Sequence, residues 1–269
     1  MSKRLFVFDI DNTLLPFGEH AIPDKELAAI RALLSQGDYV AIDSGRNVQG
    51  ISQWFPADIL ERIFIVSADG TRIYGPGGEL LDAHSLSMRD LLNVNKRHEG
   101  PGLSVYAYGA DNVLYYFTET RFTRHEIEAN RFSAAVEIKD AGMFDPDKEI
   151  LKMILARDGG LLPSDELTEE ESRLFTSGRS YKEMLEVSPK GINKASGIKF
   201  LIKHLNVDPD GVYVFGDADN DAEMLSLWHG IAMGNGTEVA RRSAEIIAPD
   251  CRDDGVYLAL KDTLKAIKI

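Results

Sequence analysis

The stretch Leu5-Phe6-Val7-Phe8-Asp9-Ile10-Asp11-Asn12-Thr13 decides the fold. Its first four residues are strand formers without polar alternation, the pattern of a parallel strand buried on both faces. The run stops abruptly at aspartates and turn residues. Beyond it, Leu27, Ile30, Leu33 and Leu34 recur at helical spacing, and Gly37 follows where a helix would end. Tyr39 to Ile42 then reads as a second strand, ending at Asp43-Ser44-Gly45-Arg46, and Ile63 to Val66 as a third, ending at Ser67-Ala68-Asp69-Gly70. Strand, helix, strand in this order predicts an α/β doubly wound, Rossmann-like parallel sheet.

After Ile73-Tyr74 the rhythm changes. Gly75-Pro76-Gly77-Gly78 is a hairpin signal, and Val105 to Tyr108 and Val113 to Phe117 flank the turn residues Gly109 to Asn112. Ile150 to Ala156 and Met184 to Val187 add strand-like runs, and the acidic stretch Glu166 to Arg173 reads as a solvated helix face. From Lys194 the first rhythm returns. Ile198, Leu201, Ile202 and Leu205 mark a helix face, Val212 to Phe215 a buried strand, and Gly216 to Asp221 an acidic loop, with one more strand near Gly230 to Met233. The expected organisation is an open α/β core of residues 1–81 and 188–269, interrupted by an inserted α+β domain of residues 82–187.

Length and charge narrow the function. A chain of 269 residues can bury a substantial core, and its 43 acidic against 30 basic side chains give a formal charge of -13. Neither the insert nor the remainder is basic, which argues against a nucleic-acid partner held through phosphate neutralisation. No apolar run approaches the ~18 residues of a membrane span, and no obligate protein partner is evident. The lone Cys251 excludes an intramolecular disulfide and a thiolate zinc cluster, and the six histidines show no metal-ligand spacing. Leu5 to Phe8 is too short for a signal-peptide core, so a cytoplasmic location is expected.

Ligands of open α/β sheets bind beyond the carboxyl ends of the strands. Those ends bring Asp9, Asp11, Asp217 and Asp221 towards one place. Two unpaired carboxylates ~5 Å apart repel by about 3 kcal/mol at an effective dielectric of ~20, so the group requires a cation or shared protons. Mg²⁺, which favours oxygen ligands and substrate phosphate, fits. With phosphate charge offset in this way, Asp9 can act as a nucleophile on phosphorus and Asp11 as general acid and base. Ser44 can donate to a phosphoryl oxygen, and a lysine can neutralise developing charge.

Four segments, in order, resemble the motifs of the haloacid dehalogenase superfamily: Asp9-Ile10-Asp11-Asn12-Thr13-Leu14, Ser44-Gly45-Arg46, Lys194, and Gly216-Asp217-Ala218-Asp219-Asn220-Asp221. Ala232-Met233-Gly234-Asn235 and Asp254-Gly255-Val256 resemble its Cof-type capped phosphatases, whose α/β cap lies between the second and third motifs. The resemblance implies Asp9 as nucleophile, Asp11 as acid/base, Lys194 as the neutralising lysine, and Ser44, Gly45 and Asn220 at the phosphate. It implies Mg²⁺ on Asp9, the Asp11 backbone carbonyl and Asp217, with Asp221 a further ligand or the holder of a metal-bound water. Three residues depart from the family pattern: Asn12 replaces glycine, Ser44 replaces the commoner threonine, and Asp69-Gly70 stands at an Asn-Gly site. Arg46 either reaches the pocket or caps a turn. Lys190 reads as a surface lysine and Asp219 as a loop or capping residue.

The expected activity is Mg²⁺-dependent hydrolysis of a small phosphorylated metabolite, sugar phosphates foremost, through an aspartyl-phosphate. A phosphomutase or phosphotransferase would use the same aspartate and pass the phosphoryl group to a sugar hydroxyl. A phospho-aspartate signalling module is a third reading; the spread of the acids over a long, interrupted chain counts against it.

Overall fold

The computed structural model describes residues 3–98 and 100–268. Strands β1 (Leu5–Phe8), β2 (Tyr39–Asp43), β3 (Phe64–Ser67), β4 (Arg72–Tyr74) and β5 (Leu80–Ala83) come first. Then follow β6 (Leu86–Ser87), β7 (Leu103–Gly109), β8 (Val113–Tyr116), β9 (Ala134–Glu137), β10 (Glu149–Arg157), β11 (Phe175–Tyr181) and β12 (Met184–Pro189). Finally come β13 (Val212–Gly216), β14 (His229–Ala232) and β15 (Ile246–Ile247).

The first and last groups form one sheet in the order β15-β14-β13-β1-β2-β3-β4-β5. Its members are parallel from β15 to β3, with β4 and β5 antiparallel at one edge. Strand β1 lies at the centre, pairing Leu5 with Val212 on one side and with Tyr39 on the other. The missing alternation in Leu5 to Phe8 has a direct cause. Phe6 and Phe8 pack with Ile30 and Leu33 of the helix Asp24–Ser35 on one face, while Leu5 and Val7 share the other with Ile198 and Leu201 of the helix Lys194–Leu205. A strand sandwiched between helix layers has no face to leave polar.

The chain proceeds outward from β1 to β3 in one direction and from β13 to β15 in the other. The carboxyl ends of β1 and β13 therefore meet at a topological switch point, where the sheet opens a crevice.

The intervening strands build a second sheet of order β11-β12-β10-β7-β8-β9, with β6 pairing β10. It is antiparallel apart from the β8/β9 pair. The helix Met88–Arg97 covers one face through Leu91 and Val94, and Ser87 and Asp90 close its N-terminus as a reciprocal capping box. The other face carries Tyr106, Tyr108 and Ile154, with Phe122 of the helix Arg121–Asn130, and packs against Ala68 of the first unit.

One expectation needs correcting. The acidic stretch does form a helix, Glu169–Leu174, but it is not wholly a solvated face: Glu171 is buried and accepts from the Thr168 backbone N–H while its carboxylate meets the His98 ring at 2.9 Å. A buried imidazole partner fixes one acid of the run, which composition cannot show. Among the described residues, no helix is long and apolar enough to cross a membrane.

Candidate active site

The loop after β1 is held on both flanks. The Asp9 N–H donates to the Phe215 carbonyl at 3.0 Å, and the Leu14 and Leu15 N–H groups return to the Ile10 carbonyl. Asn12 adopts a left-handed backbone, φ 58°, which asparagine tolerates better than most residues; this accounts for its standing where the family pattern has glycine. Its carbonyl accepts from Asn235 Nδ2 at 2.9 Å, and Asn235 Oδ1 accepts from the Cys251 N–H. Asn235 thus ties the β1 loop to the C-terminal segment.

The helix carrying Lys194 is capped by Asn193, whose side chain accepts from the Ser196 N–H while the Ser196 hydroxyl oxygen accepts from the Asn193 N–H. Lys194 at the first helical position is thereby aimed under the sheet edge. Its Nζ donates to Asp9 Oδ1 and to Asp221 Oδ1, each at 2.7 Å. Asp221 turns its other oxygen to the backbone N–H groups of Asp217 and Ala218, at 2.9 and 3.0 Å. One fully buried carboxylate therefore fixes both the lysine and the loop after β13.

Asp9, Asp217 and Asp221 each offer a carboxylate oxygen within 4.8 Å of the others. Burial pushes Asp9 and Asp217 above the ordinary carboxylate range; neighbouring carboxylates add to this and Lys194 opposes it. Burial alone would lower Lys194, but Asp221, Asp9 and Asp43 outweigh it and hold the ammonium protonated. Three carboxylates thus share one cation in a buried place. The donor set is all oxygen, compact and short of positive charge, which suits a hard divalent ion.

All eight residues singled out from sequence, Asp9, Asp11, Ser44, Gly45, Lys194, Asp217, Asn220 and Asp221, line one cavity of about 440 Å³. The Asp11 carboxylate stands apart from the acid triad. Arg46 grips it in a two-pronged fork, Nε to Oδ2 at 2.8 Å and Nη2 to Oδ1 at 2.7 Å, and its remaining arm donates to the Ala129 carbonyl of the second unit. The Arg46 side chain therefore reaches the pocket. Lys190 lies away from it, exposed and donating to the Ser172 and Phe175 carbonyls. Asp219 accepts from the Thr237 hydroxyl, a loop tie.

Sequence reasoning missed several groups. Asp43, at the end of β2, is buried with no hydrogen-bond partner on either carboxylate oxygen, and burial pushes its carboxyl well above the ordinary range while Lys194 opposes the shift. Lys152 of β10 enters the cavity from the second unit, donating to Asp69 at 2.8 Å and Glu186 at 2.7 Å. The Asp69 departure has its partner here. Tyr181, more than half exposed, lines the same cavity, and its hydroxyl is pushed up to about 12 by desolvation and then by Asp11, Asp217 and Asp9. The signal for Lys152 and Glu186 was present: Lys152 is a charge in the apolar interior of β10, between the terminal Glu149 and Arg157, and Glu186 is the one charge of β12.

Comparison with known proteins identifies the family. The family model for haloacid dehalogenase-like hydrolases matches residues 6–260. A protein named HMP-PP phosphatase from Cronobacter sakazakii is 30% identical, over 86% of this chain and 84% of its own. Among solved structures, a haloacid dehalogenase-like hydrolase from Bacteroides thetaiotaomicron is 25% identical with a TM-score of 0.80, covering 97% of this chain and 99% of its own. The subclass IIB sugar phosphatase BT4131 superposes with a TM-score of 0.78 at 22% identity, covering 97% and 99%, a likeness of fold. The chain belongs to the haloacid dehalogenase-like hydrolases, as a phosphatase.

Proposed function

We propose that the protein is a Mg²⁺-dependent phosphatase of small phosphomonoesters, sugar phosphates foremost, working through an aspartyl-phosphate on Asp9. The observation that carries this reading is the buried Asp9–Lys194–Asp221 chain beside Asp217, at the switch point of the sheet and open to one cavity. Residues 82–187 act as a cap over a core of residues 1–81 and 188–269.

Asp9 and Asp217, with the Asp11 backbone carbonyl, would hold Mg²⁺, and Asp221 would ligate it or fix one of its waters. When bound, the ion offsets the repulsion between an anionic phosphate and an anionic nucleophile. An Asp9 oxygen attacks phosphorus, the ester P–O bond breaks, and the departing oxygen takes its proton from Asp11. Water then attacks the aspartyl-phosphate, gives its proton to Asp11, and frees Asp9 and inorganic phosphate. Lys194 stays on the reacting carboxylate throughout and neutralises charge as it develops. Ser44, Gly45 and Asn220 position the phosphoryl oxygens, and the fork from Arg46 sets the direction of the Asp11 carboxylate.

The test is phosphate release from a panel of phosphorylated metabolites with Mg²⁺, comparing the natural chain with Asp9→Asn. Loss of at least about a thousandfold in kcat with an unchanged fold is the expected result. Near-normal hydrolysis by a clean Asp9→Asn preparation would remove the nucleophile assignment. Transfer to a sugar hydroxyl without phosphate release would convert the reading to a phosphomutase.

A further inference from the structure

The cap brings Lys152 to the cavity, and that lysine has been disarmed. Its side chain is 1% exposed, and its Nζ is clamped between Asp69 of the core and Glu186 of β12. The ammonium lies close to the phosphate-binding turn: a Cβ built on Gly45 would stand 3.0 Å from it. It also sits 4.9 Å from the centre of the Tyr108 ring. Burial alone would lower its pKa, but Asp69, Glu186 and Glu126 outweigh burial and keep it charged.

An unpaired lysine at this place would welcome a second anion on the substrate. Two carboxylates on one ammonium reverse the sign of that wall. Glu126 adds to it, accepting from the Tyr108 hydroxyl and from Asn130 Nδ2 at 2.8 Å, an all-donor environment that suits a carboxylate. The other Lys and Arg side chains lining the cavity, Arg46 and Lys194, are likewise spent on Asp11 and on Asp9 with Asp221. Among the side chains lining the cavity, seven carboxylates face three Lys and Arg side chains, an excess of negative charge.

We propose that the Asp69–Lys152–Glu186 bridge sets the charge specificity of the site: it admits phosphomonoesters of neutral or amine-bearing alcohols and rejects those whose leaving group carries a second anion. This rests on the phosphatase reading above and narrows its substrate class. Lys152, Asp69 and Glu186 act here as specificity-determining residues, not as parts of the phosphoryl-transfer machinery.

The metabolite panel should include a matched series, glucosamine 6-phosphate, glucose 6-phosphate and 6-phosphogluconate, whose leaving groups are cationic, neutral and anionic. The expected order of kcat/KM puts the first two above the third by about tenfold or more, and the best ester of the whole panel carries no second anion. Glu186→Gln and Asp69→Asn each remove one wall charge. Each should raise kcat/KM for 6-phosphogluconate relative to glucose 6-phosphate by about tenfold. That ratio is independent of how much of a variant is folded. A best substrate bearing a second anion, equal turnover of the series, or variants that lower every ester in proportion would each overturn the proposal while leaving the phosphatase reading intact. Absence of hydrolysis across the entire panel, p-nitrophenyl phosphate included, would overturn the phosphatase reading and this proposal with it.

Discussion

Asp217 shows how burial beside other carboxylates acts on a single carboxyl. It and Asp9 are raised by burial from an ordinary 3.8, so between that value and their folded-state values the native chain keeps protons that the unfolded chain has released. Their contribution to stability is at its best below 3.8 and is lost as pH rises through the folded values. A divalent ion competes with those same protons, so its stabilising effect must grow in the opposite sense, with rising pH. Mg²⁺ is accordingly expected to raise the thermal midpoint more at pH 8 than at pH 6, and Asp217→Asn to abolish most of that difference. Equal shifts at the two pH values would show that the ion does not bind at these carboxyls. The same residues were legible from sequence because each follows a strand end, where the chain announces the turn. Asp43 was not: it occupies the last position of β2, directly before Ser44, and only its burial without a partner distinguishes it from an ordinary strand terminus.

At the scale of elements, the parallel strands and their helices could be read from local periodicity, because each face of each element is paid for locally in apolar residues. The helix Lys194–Leu205 was visible through Ile198 and Leu201, yet its closeness to the sheet depends on Gly197, whose role is set by a residue far away in sequence. A Cβ there would stand 2.5 Å from Val66 Cγ1 on β3. Gly197→Ala should therefore cost about 1–3 kcal/mol through overpacking, despite alanine's better helix propensity. It should also push Lys194, one turn earlier, away from Asp9. Denaturant unfolding checks the first expectation, and a fall in kcat at unchanged fold the second. Combining Gly197→Ala with Val66→Ala should recover part of both losses, since the second change makes room for the first. If the double variant is as destabilised as the sum of the singles, the close approach is not the cause. The pairing of Lys152 with Asp69 and Glu186 was hidden for the same reason: contacts between units have no periodicity to betray them.

Over the whole molecule, one place where the insert meets the core is a set of polar ties around the end of the helix Arg121–Asn130. The Ala129 carbonyl accepts from Arg46 at 2.6 Å and from Gln53 at 2.9 Å, and Asn130 Oδ1 accepts from the Asn47 N–H. Gln53 Oε1 in turn accepts from Arg131. Arg46 is the member of this set that also grips Asp11, so one side chain joins the position of the insert to the direction of the Asp11 carboxylate. On the proposed reading of the insert as a cap, substrate exchange would require these ties to open and turnover would require them to re-form. Arg46→Met should therefore do two things at once: lower kcat about 10- to 100-fold on every ester, and speed amide exchange along residues 121–130. Gln53→Ala provides the control, because it removes one of the two donors to the same carbonyl without touching Asp11; exchange should quicken while kcat changes by no more than about twofold. Should Arg46→Met lower kcat with exchange unaltered, Arg46 orients Asp11 alone and cap closure is held elsewhere. Should the two variants lower kcat equally, docking of the cap governs the rate and the fork on Asp11 does not.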